Sequence, residues 1–182
     1  MSKLLLGIVL LGIATTAAQS SSAQGADRAL VKEVTVGAPV AEVWKAWTTT
    51  EGVTTFFAPR AHVALRVGGP YELYFNDAAP KGQQGSEGCK VLEFRPMEML
   101  SFSWNHPPTM SIRGQHTRVV LLFKEVAPGR TQVKFVQTGW GKGEEWDRSF
   151  AYFDRAWSKV LANLEHRFAV GPIDWATFSW AK

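Results

Sequence analysis

The chain has 182 residues, enough for one ordinary domain with a real hydrophobic core. Charged residues make up 20% and hydrophobic residues 46%, a globular composition that excludes an intrinsically disordered chain. The formal net charge is only +4 and the basic residues are scattered, so electrostatics give no case for a nucleic-acid partner.

The first predicted element is a targeting segment, residues 1–23. Lys3 precedes an unbroken apolar run over residues 4–14, and small residues follow as far as Ala23. This order is typical of a secretory signal peptide, and the apolar run is too short to cross a bilayer comfortably as a permanent helix. We therefore expect cleavage, export to the periplasm or the medium, and no stable membrane span afterwards. An uncleaved N-terminal anchor is the alternative.

A strand and two short helices are predicted next. Leu30–Val36 alternates apolar and polar residues, as a half-buried strand does. A helix begins near Pro39, a residue that suits a first turn. A second short helical piece covers residues 51–57 and ends before Pro59.

Short strands separated by turn residues fill the middle of the chain. Alternating apolar residues predict strands at 61–67, 71–76, 88–94, 99–104, 117–126 and 131–138. Two longer connections, 77–85 and 105–114, are rich in polar residues and proline and are predicted as loops, the first of them mobile. Residues 127–130 are typical of a hairpin connection.

The last regular element is a long amphipathic helix from Gly143 to Phe168. Its large apolar residues recur at alternating steps of four and three, which places them on one stripe. Acidic residues in the first turns and basic residues in the last turn suit the helix dipole. A stripe this rich in aromatic rings needs a broad apolar partner, which one face of an antiparallel sheet would supply.

Together these elements predict an α+β domain over residues 24–169. A curved antiparallel sheet of about six to seven strands would wrap round the long C-terminal helix, with two short helices after the first strand. The tail, residues 170–182, carries Trp175, Phe178 and Trp180. Packing of this tail against its own domain is the default, and the tail could fold back over a groove or contact a protein partner.

Several short segments, in this order and spacing, carry a family resemblance. They are Ala38–Trp44 with Thr48, Val67–Tyr71, Val91–Pro96, Leu100–Trp104, Gly129–Val133 and the helix with Trp157, Leu161 and Leu164. This pattern resembles the START-like (SRPBCC) superfamily and its helix-grip fold, and is most similar to the domain of activators of the heat-shock-protein-90 ATPase. The match covers residues 30–168. It is specific to the fold and not to an activity.

Two features depart from that family. Its members in this subgroup are mostly cytosolic, whereas the leader predicts export, so a cytosolic chaperone would be out of reach and the co-chaperone role is not carried over. The tryptophan that follows the family's second helix is replaced by Phe56-Phe57.

A sheet that curves round one helix leaves a cavity wherever side chains fail to fill the space between them. Such cavities are mainly apolar, with a few polar groups that fix orientation. We predict that a small hydrophobic or aromatic ligand contacts Phe57, Phe75, Val91, Phe102, Trp104, Leu121, Phe135, Phe150, Phe153 and Trp157. The alternative is that these side chains fill a solid core, and the family resemblance favours the cavity.

Catalytic and metal-binding signals are weak. The four histidines lack metal-ligand spacing: His62, His106, His116 and His166. Of these, His106 lies in a loop and could gate a pocket mouth. Five carboxylates are predicted at the surface: Glu72, Glu87, Glu93, Asp147 and Asp154. Cys89 is predicted to be a buried, inert thiol. No serine elbow, phosphate-binding loop or dinucleotide fingerprint occurs, so neither a metal nor a cofactor is predicted.

Three functions remain open from the sequence. The first is a non-enzymatic carrier or sensor of a small apolar or aromatic ligand in the exported compartment. The second is an enzyme of the polyketide-cyclase type, which would need a buried carboxylate, histidine or arginine among the rings. The third is a protein-interaction module, suggested by the chaperone-activator resemblance and the aromatic tail.

Overall fold

The computed structural model describes residues 28–180, so the predicted signal peptide lies outside the described residues. The elements are β1 (Leu30–Val36), α1 (Val40–Thr48), α2 (Thr50–Val53), β2 (Arg60–Val63), β3 (Tyr71–Tyr74), β4 (Val91–Arg95), β5 (Met99–Trp104), a one-turn 3-10 helix (Ser111–Gly114), β6 (Thr117–Ala127), β7 (Arg130–Thr138) and α3 (Glu144–Ala169). No helix within this part of the chain is both long enough and apolar enough to cross a bilayer.

Five strands form one antiparallel sheet in the order β1-β7-β6-β5-β4, and β2 and β3 form a separate two-stranded ribbon. The predicted α+β fold of six to seven strands is therefore confirmed, with the strands divided between two sheets. The division has a local cause, because Ser86 bonds both backbone groups of Leu73. Its N–H donates to the carbonyl of Leu73 and its hydroxyl accepts the N–H of Leu73, each at 2.8 Å. The edge of β3 that faces β4 thus pairs partly with a loop.

The strand predicted at 61–67 is shorter than expected. β2 ends at Val63, and the chain then turns, with the N–H of Arg66 donating to the carbonyl of Ala64 and that of Gly69 to the carbonyl of Arg66, both at 2.8 Å. Gly68 has a φ of 76°, a left-handed conformation that glycine adopts without steric cost. This turn is tied to β4 by a hydrogen bond from the N–H of Gly68 to the carbonyl of Val91.

The long helix α3 lies against the apolar face of the sheet, as predicted. Its central residue Trp157 is buried, and its ring lies 4.4 Å from Phe135 on β7 and 5.1 Å from Trp104 on β5, between centroids. At the edge, an ion pair of 2.7 Å joins Asp154 on α3 to Lys32 on β1. The aromatic stripe therefore supplies the core between the helix and the sheet.

Candidate functional site

A cavity of about 770 Å³ opens between α3, the end of β5 and the loop of residues 76–85. Its aromatic lining comprises Phe57, Phe75, Trp104, Tyr152, Phe153, Trp157 and Trp180. Its polar lining comprises Asn76, Gln83, Gln84, Arg155 and Lys159. The polar residues form the rim of the cavity, because some of them, such as Gln83 and Arg155, are exposed. The buried aromatic rings form its floor.

A second depression, of about 560 Å³, lies between β1 and α3. Its lining includes Lys32, Glu33 and Glu165, and none of the described residues that line it is aromatic. A ligand pocket of the usual kind is mainly apolar with a few polar groups. The aromatic cavity is therefore the better candidate site.

The ten residues predicted to contact ligand fall into two sets in the structure. Those that line the cavity are Phe57, Phe75, Trp104, Phe153 and Trp157. Those outside its lining are Val91, Phe102, Leu121, Phe135 and Phe150. The first four of this second set are fully buried, whereas Phe150 is half-buried and contacts Trp140 at 5.0 Å between ring centroids. Ligand contact by the first set stays a prediction.

Packing explains why part of the predicted cavity is filled. The ring of Phe102 stacks on Tyr71 at 4.1 Å between centroids, and Trp157 covers Phe135. The Tyr71 hydroxyl donates to the carbonyl of Trp47 at 3.0 Å, so its polar end is satisfied inside the core. Burial raises the pKa of Tyr71 well above its usual value, which keeps this donor protonated. The solid-core alternative thus describes this half of the interior.

A buried hydrogen-bond chain fixes the floor of the cavity. The indole N–H of Trp157 donates to Oε1 of Gln137 at 2.8 Å, and Nε2 of Gln137 donates to the hydroxyl of Thr117 at 2.8 Å. That hydroxyl donates in turn to the carbonyl of Trp104 at 3.0 Å. The chain joins β5, β6, β7 and α3 and fixes the Trp157 indole, and the Trp104 ring packs against that indole with ring centroids 5.1 Å apart.

The loop wall of the cavity, predicted as mobile, is held by two charged side chains. The Glu87 carboxylate accepts the backbone N–H groups of Gln84 at 2.7 Å and Gly85 at 3.1 Å. The Arg113 guanidinium donates to the carbonyls of Gly82 and Gly85, each at 2.8 Å. Both side chains are largely buried, so these charge-assisted bonds are stronger than surface ones. Glu87 is therefore not the surface carboxylate that was predicted.

The C-terminal tail forms one side of the cavity. The backbone N–H of Ile173 donates to the carbonyl of Thr55 at 2.8 Å, and the indole of Trp175 donates to that of Thr54. Trp180 meets Phe75 edge-on with ring centroids 5.6 Å apart. Lys159 Nζ donates to the Trp180 carbonyl at 2.9 Å. Over the residues described, the tail thus packs on its own domain.

His106 lies in the core and not at the pocket mouth. Its Nδ1 is 2.7 Å from the Ser149 hydroxyl on α3, and both residues are buried. Its Nε2 has no hydrogen-bond partner within residues 28–180. Burial lowers the pKa of His106 to about 4, with a smaller contribution from the nearby His116 charge, so the ring is neutral at pH 7. Phe153 stands beside it, with ring centroids 6.2 Å apart, and contributes to the cavity lining itself.

The remaining groups of chemical interest do not line the cavity. Cys89 is fully buried, and burial raises its pKa to about 12, so the thiolate form is disfavoured. Four carboxylates have partners elsewhere: Glu72 with Tyr74, Glu93 with Arg118, Asp147 with Arg28 and Asp154 with Lys32. Within residues 28–180, no cluster of three or more histidine, cysteine or carboxylate side chains is placed to hold a metal ion.

Sequence reasoning missed the rim. Tyr152, Arg155, Ala156 and Lys159 occupy positions i, i+3, i+4 and i+7 of α3, which form a stripe beside the aromatic one. This spacing is visible in the sequence, but polar residues on a helix are usually solvated, so nothing marked them as lining a cavity. Trp180 belongs to a tail that was expected to pack on its own domain, but it was not among the predicted ligand contacts.

A family model described as "Activator of Hsp90 ATPase homolog 1-like protein" matches residues 37–169. Among solved structures, the Aha1 dimer from Colwellia psychrerythraea is 20% identical with a TM-score of 0.60, covering 79% of this chain and 98% of that chain. An Hsp90 activator from Plasmodium falciparum is 16% identical with a TM-score of 0.56, covering 75% and 93%. DynU16, from the dynemicin biosynthetic locus, is 19% identical with a TM-score of 0.60, covering 80% and 49%. These structures show a shared fold. No curated protein matches the chain.

Proposed function

The chain belongs to the Activator of Hsp90 ATPase homolog 1-like family, and we propose that it binds a small hydrophobic or aromatic ligand in the cavity between sheet and long helix, without catalysis. The observation that carries this proposal is a cavity of about 770 Å³ whose floor is built from aromatic rings. Ligand pockets typically measure about 300–1,000 Å³ and are predominantly apolar. An aromatic ligand would stack on rings that are already held in place.

The fixed side chains of the cavity floor favour a binding site that is already formed before the ligand arrives. The Trp157 indole is held by Gln137 and the Trp104 ring packs against it, so a ligand would find this contact surface already assembled. Preorganised side chains lose little conformational freedom on binding, and more of the contact energy then appears as affinity. This supports a carrier or sensor.

A proton-transfer role has less support. Among the described residues, the cavity lining contributes no histidine and no carboxylate. His106 and Ser149 form a buried pair, and neither belongs to the cavity lining, to which the neighbouring Phe153 contributes. A general base must come within hydrogen-bond reach of the proton that it takes. We therefore propose ligand binding ahead of a polyketide-cyclase-type reaction.

The compartment is also a proposal. The apolar run over residues 4–14 after Lys3 supports export through a cleaved signal peptide. In that compartment the ligand would be one met outside the cytosol, and a cytosolic chaperone would not be a partner. N-terminal sequencing of the protein from the periplasm or medium tests this: a start after the small-residue stretch supports export, and a cytosolic protein that retains Met1 refutes it.

The test of ligand binding uses one variant in which a larger side chain fills the cavity, and a control variant with the same substitution outside the cavity. Ala156 lines the cavity on α3, whereas Ala151 is exposed on the same helix and outside the lining. We expect naphthaleneethanol, a neutral aromatic probe, to quench tryptophan fluorescence with saturation at one molecule per chain. Ala156→Trp should abolish this quenching and Ala151→Trp should leave it unchanged. Absence of saturable binding across aromatic and medium-chain lipid probes would refute the proposal.

A further inference from the structure

We propose that the ligand of this cavity carries an anionic group, which Arg155 binds at the rim, an inference that rests on the ligand-binding function proposed above. The charges that line the cavity are of one sign. Within the described part of the chain, Arg155 and Lys159 contribute positive charge to the lining, and no aspartate or glutamate belongs to it. An uncharged apolar ligand would leave this asymmetry unused.

Asp154, which precedes Arg155 in the chain, and Glu87, which holds the loop wall, both bond other partners. Asp154, its neighbour in the chain, points to β1 and pairs with Lys32 at 2.7 Å. Glu87 bonds the backbone N–H groups of Gln84 and Gly85 and pairs with Arg113. By contrast, Arg148 on the same helix is within 4 Å of both Glu144 and Glu145. The positive charge of Arg155 therefore has no such intramolecular partner among the described residues.

The position of Arg155 on α3 fits a ligand that is apolar at one end and anionic at the other. Arg155 stands next to Ala156 and one turn from Tyr152, along the stripe that borders the aromatic floor. A molecule that stacks on Trp157 would bring a polar end to this stripe. Arginine offers a planar fork of donors that matches a carboxylate, sulfonate or phosphate.

Lys159 has a different role at the same rim. Its Nζ donates to the carbonyls of Ser179 at 3.0 Å and Trp180 at 2.9 Å, which fastens the tail beside the cavity. It adds positive potential without being the group to which a ligand must bond. Arg155 can thus be changed without releasing the tail.

The experiment compares three probes with the same ring: naphthaleneethanol, naphthaleneacetate and naphthyl phosphate. By isothermal titration at low salt, the anions should bind about tenfold more tightly than the alcohol, and added salt should reduce this preference. The anion whose affinity exceeds that of the alcohol by the larger factor indicates whether the ligand carries a carboxylate or a phosphate. Arg155→Met should remove the preference while the affinity for the alcohol stays within about twofold. Arg148→Met is the matched control and should retain the preference.

Two results would overturn this inference and leave the ligand-binding function standing. One is equal binding of the alcohol and both anions by the unchanged protein. The other is an anion preference that persists in Arg155→Met. Failure of the alcohol and of both anions to bind would refute the proposed function, and the inference with it. Because alcohol binding reports an intact cavity, it also shows that each variant is folded.

Discussion

Acidification should destabilise this protein through His106. The fold holds this imidazole neutral, with its Nδ1 at 2.7 Å from the Ser149 hydroxyl and burial lowering its pKa from 6.5 to about 4. A histidine whose pKa is depressed in the folded state binds more protons when unfolded. Its contribution to stability is therefore complete above the unfolded pKa and is lost as the pH falls towards the folded one.

The magnitude follows from the shift. Each unit of pKa shift corresponds to about 1.4 kcal/mol, so the lowered pKa of His106 contributes about 3 kcal/mol in full to the pH dependence of the free energy of unfolding. Of this, about 2 kcal/mol is lost between about pH 7 and pH 4.5. Total stabilities of domains lie at about 5–15 kcal/mol, so this loss is measurable. Nearby charges act in opposite directions on this pKa, His116 lowering it and Glu145 raising it, and both are smaller causes than burial.

Urea unfolding at a series of pH values is the assay. We expect the free energy of unfolding of the unchanged protein to fall over this range by about 2 kcal/mol more than that of His106→Gln, which keeps a polar group and does not titrate. His62→Gln is the control, because it makes the same substitution at an exposed histidine. Equal slopes for the unchanged protein and His106→Gln would refute the reasoning. So would an NMR titration in which His106 titrates near its usual pKa.

Three further substitutions test the walls of the cavity. Gln137→Leu should lower the free energy of unfolding by about 1–3 kcal/mol, because it leaves the Trp157 indole N–H without its buried acceptor; an unchanged urea midpoint would contradict this. Gly85→Ala should weaken probe binding and lower the melting temperature, since an added Cβ would lie 1.9 Å from the carbonyl oxygen of Leu73; full affinity would show that the loop wall is not needed. Trp180→Ala should reduce naphthaleneethanol affinity about fivefold to tenfold with little change in the urea midpoint, since this ring covers one side of the cavity; unchanged affinity would exclude the tail from the site.

The fold could be predicted from local patterns because its main elements have clear periodicities. The apolar stripe that includes Phe153 and Trp157 predicted the bounds of α3 to within one residue at each end. The alternation of apolar and polar residues over 117–138 predicted the hairpin of β6 and β7. The division into two sheets could not be predicted, because it depends on Ser86 meeting Leu73 across the loop, a contact that no local pattern encodes.

The site was harder to predict than the fold. Phe75 and Phe102 both occupy apolar positions of predicted strands, yet one lines the cavity and the other is covered by Tyr71. Alternation shows which face a side chain takes and not what lies opposite. Similarly, the order of the loop wall depends on Arg113, which follows Gly85 by 28 residues in the chain.

Native mass spectrometry tests the central claim most directly. The unchanged protein, isolated from cells that express it and then supplied with naphthaleneacetate, should carry one ligand molecule per chain, either retained or added. Ala156→Trp, with the cavity filled, should show the bare chain mass under the same conditions. A bare mass for the unchanged protein throughout, or the same occupancy in Ala156→Trp, would contradict binding in this cavity.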